Sequence, residues 1–499
     1  MSSSSRPFRL IVNKSAPPQS ISGLYLITDQ GDNLLERVRA ALRGGARVVQ
    51  YRSKEKSWED RLSEGNCLKQ LCTDFGIPLI VNDDMLLARE LDAHGVHLGQ
   101  EDGTIAAARE FLGNGKIIGQ STHSLEEALR AEHEGADYIG FGAIYPTGSK
   151  VVTQLPGTSG LAEIRKRVKI PVVAIGGITP SNACRVIDAG ADAVAVISSV
   201  LSHPRPDIAA VELALLFNRL RPFPRGAVLT IAGSDSGGGA GIQGDIKTVT
   251  LLGSYAASVL TALTAQNSRG VSGIHGLPPS FVIDQLDAVL SDIPIDVIKT
   301  GMLHTPAIIA ALAERLQENV IMIPLVVDPV MIAKGGAALL ERDAVKVFSD
   351  RLLPLAYLLT PNIPEAERLL GRTISTESGM EQAARDLHAL GAANVLVKGG
   401  HLNGPFSTDV FFDGKSSHVF RSERHFTINT HGTGCSFASA IAALLSQGEP
   451  LLSAIEKAKT FISDAIRLAR PLGKGHGPIN HYAAAEELRN HTSTQKDHR

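Results

Sequence analysis

Residues 135–142 read Gly-Ala-Asp-Tyr-Ile-Gly-Phe-Gly, and residues 190–198 read Gly-Ala-Asp-Ala-Val-Ala-Val-Ile-Ser. In both, a glycine stands where a helix would close in a left-handed conformation, and a β-rich run follows at once. Gly44-Gly45-Ala46 and Gly95-Val96 carry related phrases upstream. Between Leu24 and Ser198 the runs LYLIT, RVVQY, PLIVN, GVHLG, KIIGQ, YIGFG, IPVVAIG and AVAVIS alternate with helical stretches, which is the pattern of parallel β/α construction. Eight such units in about 200 residues fit a (β/α)8 barrel better than an open sheet, and such barrels place their chemistry where strands run into loops.

Beyond the barrel, Asn218 to Gly226 (NRLRPFPRG) has two prolines, three arginines and no periodicity, the composition of a short stiff linker. The runs AVLTIAG, DVIKTG, PLVVDPV, AYLLTPN and NVLVKGG then announce a second α/β domain. Ser407 to Phe426 alternates like a hairpin, and a final helical region begins at Gly432. The expected organisation is a disordered tail over 1–21, a first domain over 22–217, a linker over 218–226, a second domain over 227–485 and a disordered tail over 486–499.

Composition narrows the function classes. The 499 residues hold 49 Lys+Arg against 51 Asp+Glu, a formal charge of -2, so there is no basic field to collect nucleic acid or anionic lipid. Small-molecule chemistry is the expectation. The four cysteines (Cys67, Cys72, Cys184, Cys435) cannot frame a chain of this length with disulfides and lack a zinc-type spacing, which points to a reducing cytoplasm. No apolar run reaches the roughly 18 to 20 residues that cross a bilayer. The serine-rich, acid-free first twenty residues have some character of an organelle transit peptide and are read as a disordered tail.

At the end of the second strand, alternation points Gln50, Arg52 and Lys54 to one side. Asn82-Asp83-Asp84 ends the third strand and Gln100-Glu101-Asp102 the fourth, so carboxylates on adjacent strand ends can share a cation. Mg²⁺ takes a few carboxylate oxygens together with water and phosphate oxygens, which makes a diphosphate-bearing substrate the economical explanation. Ser121 follows strand five, Pro146-Thr147-Gly148-Ser149-Lys150 strand six, Gly176-Gly177 strand seven and Ile197-Ser198 strand eight. The last two loops are where barrels hold phosphate on backbone N–H groups.

Together GLYLITD, QYRSK, NDD, HLGQED, PTGSK, AIGGIT and VIS, spread over residues 22–202, resemble the signature segments of thiamine-phosphate synthase, a TIM barrel. The resemblance implies that hydroxymethylpyrimidine diphosphate loses pyrophosphate and that the nitrogen of hydroxyethylthiazole phosphate attacks the resulting cation. It implies Asp83 and Asp102 as Mg²⁺ ligands, and Arg52, Lys54, Asn82, Ser121 and Lys150 around the diphosphate and pyrimidine, with Arg52, Lys54 and Lys150 catalytic. Gln50 would orient the pyrimidine. Thr147, Ser149, Gly177, Ile197 and Ser198 would bind the thiazole phosphate. Ser53 stands where that family usually has an acid, and Ser149 where threonine is common. His97, inside the fourth strand, is either a hydrogen-bonded barrel histidine or a pyrimidine contact.

In the second domain, five glycines in the segment Ala232 to Gly241 let a backbone approach a ligand, and no Gly-Lys-Ser/Thr follows to make a Walker loop. His431-Gly432-Thr433-Gly434-Cys435 precedes the apolar run SFASAIAALL, so unpaired N–H groups at a helix start offer an anion hole. With QGDIKT, TALTAQN, VVDPVM, LTPNIPEAE and VLVKGGH, these segments resemble hydroxymethylpyrimidine and phosphomethylpyrimidine kinase of the ribokinase-like fold, over residues 227 to about 482. The resemblance implies two successive ATP- and Mg²⁺-dependent phosphorylations. Gln266 and Gly233 would meet the pyrimidine, Asp328 and Glu365 would organise Mg²⁺, and Asn362 and Lys398 would line the nucleotide phosphates beside Gly432, Thr433 and Gly434. Cys435 replaces the aspartate base of related sugar kinases. At a helix N-terminus its thiol is expected to have a lowered pKa and to accept a proton, or to serve as a positioning group. Asp235 and Asp245 are either substrate contacts or helix caps. A homodimer through this domain is expected by analogy. The Asn82, Asp83 and Asp102 set, with no aspartate at 435, argues against an isomerase or aldolase barrel fused to a sugar kinase, and the full complement of charged residues argues against a non-catalytic sensor.

Overall fold

A computed structural model describes residues 21–147, 155–319, 321–331 and 342–494. The chain separates into two compact units, the main division falling between Phe217 and Asn218, with the short segment Val320–Met322 grouped with the first. In the first, strands β1 (Gly23–Ile27), β2 (Ala46–Tyr51), β3 (Leu79–Asn82), β4 (Gly95–Leu98), β5 (Ile117–Thr122), β6 (Tyr138–Gly142), β7 (Val172–Ile175) and β8 (Ala193–Val196) pair in parallel and close into a barrel, β8 returning to β1. The period of two sorts each strand. Leu24 and Leu26 of β1 pack outward under the helices, whereas Tyr25 and Ile27 point inward with Val48, Ile80, Tyr138 and Val173. Ser57, Thr104 and Ser124 each accept a backbone N–H at the start of a helix, fixing where those helices begin.

The second unit is built on a nine-stranded sheet. Its strands are β9 (Ala227–Asp235), β10 (Tyr255–Asn267), β11 (Gly270–Gly276), β12 (Val297–Thr300), β13 (Leu325–Val327), β14 (Leu358–Leu359), β15 (Val395–Lys398), β16 (Phe406–Phe412) and β17 (Ser417–Glu423). They lie in the order β11-β10-β9-β12-β13-β14-β15-β16-β17. The middle of the sheet is parallel, and antiparallel hairpins end it on both sides, β10 with β11 and β16 with β17. The sequence reading anticipated the second hairpin and missed the first. Parallel order carries the carboxyl ends of β9, β12, β13, β14 and β15 to one edge, where the site lies.

Asp245 of the helix Gly241–Leu251 is buried with Lys299 of β12. The ammonium lies 2.9 Å from each carboxylate oxygen, and Thr230 and Ser439 donate to the same carboxylate at 2.5 and 2.7 Å. Burial alone would lower the lysine's pKa, but Asp245 offsets it and the ammonium is held above its ordinary value. Asp245 is therefore a core ion-pair partner, neither a cap nor a substrate contact.

Two segments differ from expectation. Residues 218–226 do not hang free as a linker. Asn218 is buried, and its amide donates to Asp296 and to the Ser446 carbonyl, both at 2.9 Å; Arg221 pairs with Asp296 at 3.0 Å. Of the tail expected over 486–499, the helix His481–Thr494 occupies the described part.

Candidate active sites

At the barrel mouth, Gln50, one residue before the end of β2, is buried and donates from Nε2 to Tyr25 Oη at 3.1 Å. Arg52 is held by its backbone: its N–H donates to Thr28 Oγ1 at 2.9 Å, and the Thr28 hydroxyl donates back to the Arg52 carbonyl at 3.3 Å. Lys54 reaches Asp83 at 3.7 Å. Asp83 has a left-handed backbone, φ 64°, which a β-carbon disfavours. Its N–H donates to the His97 carbonyl at 2.8 Å. The next residue, Asp84, accepts the Leu87 N–H at 2.9 Å as a helix cap and pairs with Arg61. The Asn82-Asp83-Asp84 turn is thus fastened on both sides, and the Asp83 and Asp102 carboxyls meet. Burial first, then Asp102, push Asp83 above the ordinary carboxylate range, with Lys54 opposing.

Two carboxyls that crowd each other in this way suit a divalent cation. Among the described residues no group of three or more His, Cys, Asp or Glu is arranged to hold a metal. Mg²⁺ at Asp83 and Asp102 would therefore complete its shell with water and phosphate oxygens, as its coordination preference allows. A cavity of about 600 Å³ beside the pair is lined by Lys54, Asn82, Asp83, Arg61 and Phe111, among others. Arg61 escaped the sequence reading because an arginine in a charged helical stretch carries no signal by itself.

Other strand ends complete the rim without lining that cavity. Ser121 lies within β5 rather than after it, its Oγ 2.9 Å from His97 Nε2. His97 Nδ1 is 2.9 Å from Tyr138 Oη, and burial lowers the imidazole to about 4; it is a hydrogen-bonded barrel histidine. Gly177 packs against the loop after β6, where a β-carbon on it would stand 2.4 Å from the Pro146 carbonyl. Asn182 donates to the Gly177 carbonyl at 2.9 Å and Ser199 to that of Ile178 at 2.5 Å, supports that sequence reasoning missed. Ile197 follows β8 and Ser198 opens a short helix, Ser198–Leu201. Thr147 is described; Ser149 and Lys150 lie outside the described residues.

In the second unit a cavity of about 740 Å³ runs along the carboxyl edge of the sheet and brings together Gly233, Gln266, Asp328, Asn362, Glu365, Lys398, Gly432, Thr433, Gly434 and Cys435. Gly432 caps the helix Thr433–Ser446 with φ 84°, aiming first-turn N–H groups into the cavity. A β-carbon on Gly434 would lie 3.4 Å from Lys398 Nζ and 4.0 Å from Asp328 Oδ2, so helix start, lysine and carboxylate converge on one point. Lys398 donates to Asp328 at 2.7 Å. Glu365 is pushed up to about 8, by burial first and by Asp328, against the pull of Lys398. Asn362 and Glu365 also form a capping box, each side chain accepting the other's backbone N–H at 2.8 to 2.9 Å. The Asn-x-x-Glu spacing signals that box in the sequence, so both residues have a structural duty beside any ligand contact.

Cys435 departs from expectation. The residue is partly exposed and lines the cavity, yet protein packs around its sulfur and burial pushes the thiol up to about 12, with Lys299 the main opposing influence. Desolvation outweighs the helix N-terminus, and the group is a neutral thiol near pH 7. Gln266 Nε2 stands 3.4 Å from His431 Nε2, and that nitrogen stands 2.8 Å from Asp235 Oδ2. Asp235 also accepts N–H groups from Gly237, Gly239 and Ala240 at 2.8 to 3.1 Å, which closes the glycine loop.

Residues 24–200 match the family described as thiamine monophosphate synthase, and residues 235–480 the family described as phosphomethylpyrimidine kinase. The thiamine biosynthesis bifunctional protein ThiED of Geobacter sulfurreducens is 62% identical over 98% of this chain and 100% of its own length. The hydroxymethylpyrimidine/phosphomethylpyrimidine kinase of Haemophilus influenzae is 49% identical over 51% of this chain and 96% of its own. The solved ADP complex of Bacillus subtilis pyridoxal kinase is 38% identical, with a TM-score of 0.49, over 52% of this chain and 98% of that one.

Proposed function

Because the chain belongs to the family of bifunctional thiamine-biosynthesis proteins that join a thiamine monophosphate synthase to a phosphomethylpyrimidine kinase, we propose that each activity runs on the strand-end site of its own unit. The enzyme is a transferase in both halves. The second unit phosphorylates hydroxymethylpyrimidine and then its monophosphate; the barrel condenses the diphosphate with hydroxyethylthiazole phosphate to thiamine phosphate and pyrophosphate.

In the barrel, Gln50 orients the pyrimidine while Arg52, Lys54, Asn82, Ser121 and Lys150 hold the diphosphate. Departure of pyrophosphate leaves a pyrimidinylmethyl cation, so the barrier falls mainly through neutralising the charge that develops on the leaving group. Arg52, Lys54 and Lys150 do this. Thr147, Ser149, Gly177, Ile197 and Ser198 anchor the thiazole phosphate so that its ring nitrogen faces the cation. Asp83 and Asp102 hold Mg²⁺, which when bound adds further neutralisation of the diphosphate.

In the kinase, Gln266 and Gly233 bind the aminopyrimidine. The N–H groups of Thr433, Gly434 and Cys435 at the Gly432 cap receive the transferring phosphoryl group of ATP, Lys398 and Asn362 line the nucleotide phosphates, and Asp328 and Glu365 hold Mg²⁺. Cys435 takes the hydroxyl proton in the minor fraction of the enzyme whose thiol is ionised, late in a loose transition state that needs little deprotonation of the nucleophile beforehand. The convergence of Gly434, Lys398 and Asp328 supports this half, and the meeting of Asp83 with Asp102 supports the other. The reading includes a cytoplasmic enzyme that pairs through its second unit. Among the described residues no helix is long and apolar enough to cross a membrane.

The test is a one-pot reaction of purified protein with hydroxymethylpyrimidine, hydroxyethylthiazole phosphate, ATP and Mg²⁺, with thiamine phosphate followed by chromatography. Product that requires ATP supports both sites. No product even from supplied pyrimidine diphosphate would refute the barrel assignment.

A further inference from the structure

Five side chains form an unbroken hydrogen-bond chain through the barrel lumen. Gln50 Nε2 lies 3.1 Å from Tyr25 Oη, and Tyr25 Oη lies 2.9 Å from Tyr138 Oη. Tyr138 Oη lies 2.9 Å from His97 Nδ1, and His97 Nε2 lies 2.9 Å from Ser121 Oγ. The chain enters from β2, crosses through β1, β6 and β4, and ends on β5. Space for it is built in. A β-carbon on Gly119 would stand 2.1 Å from the Tyr138 ring, and one on Gly140 would stand 3.0 Å from the His97 ring.

The chain has a direction. An amide nitrogen has hydrogens but no free acceptor pair, so Gln50 can only donate to Tyr25. If the next bond ran from Tyr138 to Tyr25, Tyr25 Oη would accept from both of the partners within its reach, Gln50 and Tyr138, and its own proton would be a buried donor left unpaired. The order that pairs every proton runs Gln50 to Tyr25, Tyr25 to Tyr138, and Tyr138 to His97 Nδ1. With Nδ1 accepting from Tyr138, the ring hydrogen sits on Nε2, 2.9 Å from Ser121 Oγ, and is given to it.

We infer that Gln50, Tyr25, Tyr138, His97 and Ser121 form a one-way relay that fixes His97 as its Nε2–H tautomer, leaving the Ser121 hydroxyl to donate to the pyrimidine diphosphate and the Gln50 carbonyl to accept from it. This deepens, and rests on, the placement of Gln50 and Ser121 on that substrate. The two relay ends therefore carry opposite polarity, an acceptor for an amino-substituted heterocycle and a donor for an anionic oxygen. Tyr25 and Tyr138 are positioning residues that touch no substrate.

The experiment uses the full chain with ring-¹⁵N histidine. The His97 signals are assigned by their loss in His97→Gln, and condensation is measured from supplied pyrimidine diphosphate. The wild type is expected to show Nε2 protonated and Nδ1 bare. Tyr138→Phe, which keeps the ring, should mix the tautomers and lower condensation kcat about tenfold, the size expected for one lost buried hydrogen bond. The KM for hydroxyethylthiazole phosphate and the kinase rate of the same molecule should not move. A wild-type Nδ1–H tautomer overturns the relay. A tautomer change in Tyr138→Phe with unchanged condensation overturns the placement of Ser121 on the diphosphate, and the inference with it.

Discussion

Gly432→Ala should disable the kinase while leaving the barrel untouched. A β-carbon at this position would stand 1.8 Å from the Gly239 carbonyl oxygen, whereas a carbon–oxygen contact needs roughly 3.3 Å, so about 1.5 Å must be found by moving one backbone against another. Neither partner is a flexible side-chain end. The residue also has φ 84°, which costs an alanine about 1–2 kcal/mol more than a glycine. The helix start would shift, and a displacement of about 1 Å at a reacting centre costs about a hundredfold in rate. Kinase kcat, followed as ADP release with hydroxymethylpyrimidine, should therefore fall about a hundredfold. Condensation from supplied pyrimidine diphosphate, measured on the same preparation, should hold. A kcat within about threefold of wild type, in protein with an unchanged melting profile, would refute the claim that the Gly432 cap aims the phosphoryl site.

Asp102→Asn should lower condensation by about 10²-fold or more and bring Asp83 back toward the ordinary carboxylate range, with kinase activity spared; an unchanged Mg²⁺ dependence of condensation would contradict the two-carboxylate site. Lys299→Met should destabilise the second unit by about 3–5 kcal/mol in denaturant unfolding, because it leaves Asp245 charged and buried, while Lys299→Met with Asp245→Leu should recover much of that loss. Equal stability of the single and double variants would count against the ion pair. Since the Cys435 thiol is raised to about 12, it stays neutral below that pH and its thiolate fraction grows tenfold per unit on the way up. Kinase kcat should climb from about pH 7 to about pH 10, and Cys435→Ser should flatten the profile. A wild-type profile as flat as the variant's would remove Cys435 from the proton's path.

The barrel was legible because its strands are short, β-branched and each punctuated by glycine, so period and cap agree. The β10–β11 hairpin was not, because YAASVLTALTAQN mixes alanine and serine into a half-exposed strand whose alternation the side chains do not mark. The placement of Gln50, Asp83 and Asp102 at or just beyond strand ends could be read from position alone. Arg61, His431, Tyr25 and Tyr138 could not, since each matters through a partner remote in sequence, as His431 does through Asp235. The pKa of Cys435 was misjudged for a related reason. The helix terminus is written in Gly-Thr-Gly-Cys, but the burial that outweighs it is supplied by other elements. The stretch 218–226 shows the same limit: it is rich in proline and arginine, and nothing in it marks Asn218 and Arg221 as locked onto Asp296.

Gly119 and Gly140 restrict how this barrel can change over evolutionary time. Each leaves a hole that a ring from another strand fills, Tyr138 in one case and His97 in the other. A side chain cannot be gained at Gly119 while the Tyr138 ring stays, one at Gly140 would make the His97 ring give way by a few tenths of an ångström, and neither ring can be lost without opening a void at the centre of the barrel. Gly119 and Tyr138 must therefore be inherited as a pair. Descendants that abandon the polar lumen would have to pass through an intermediate that is either overfilled or hollow, a barrier that preserves the arrangement even where selection on the reaction is relaxed.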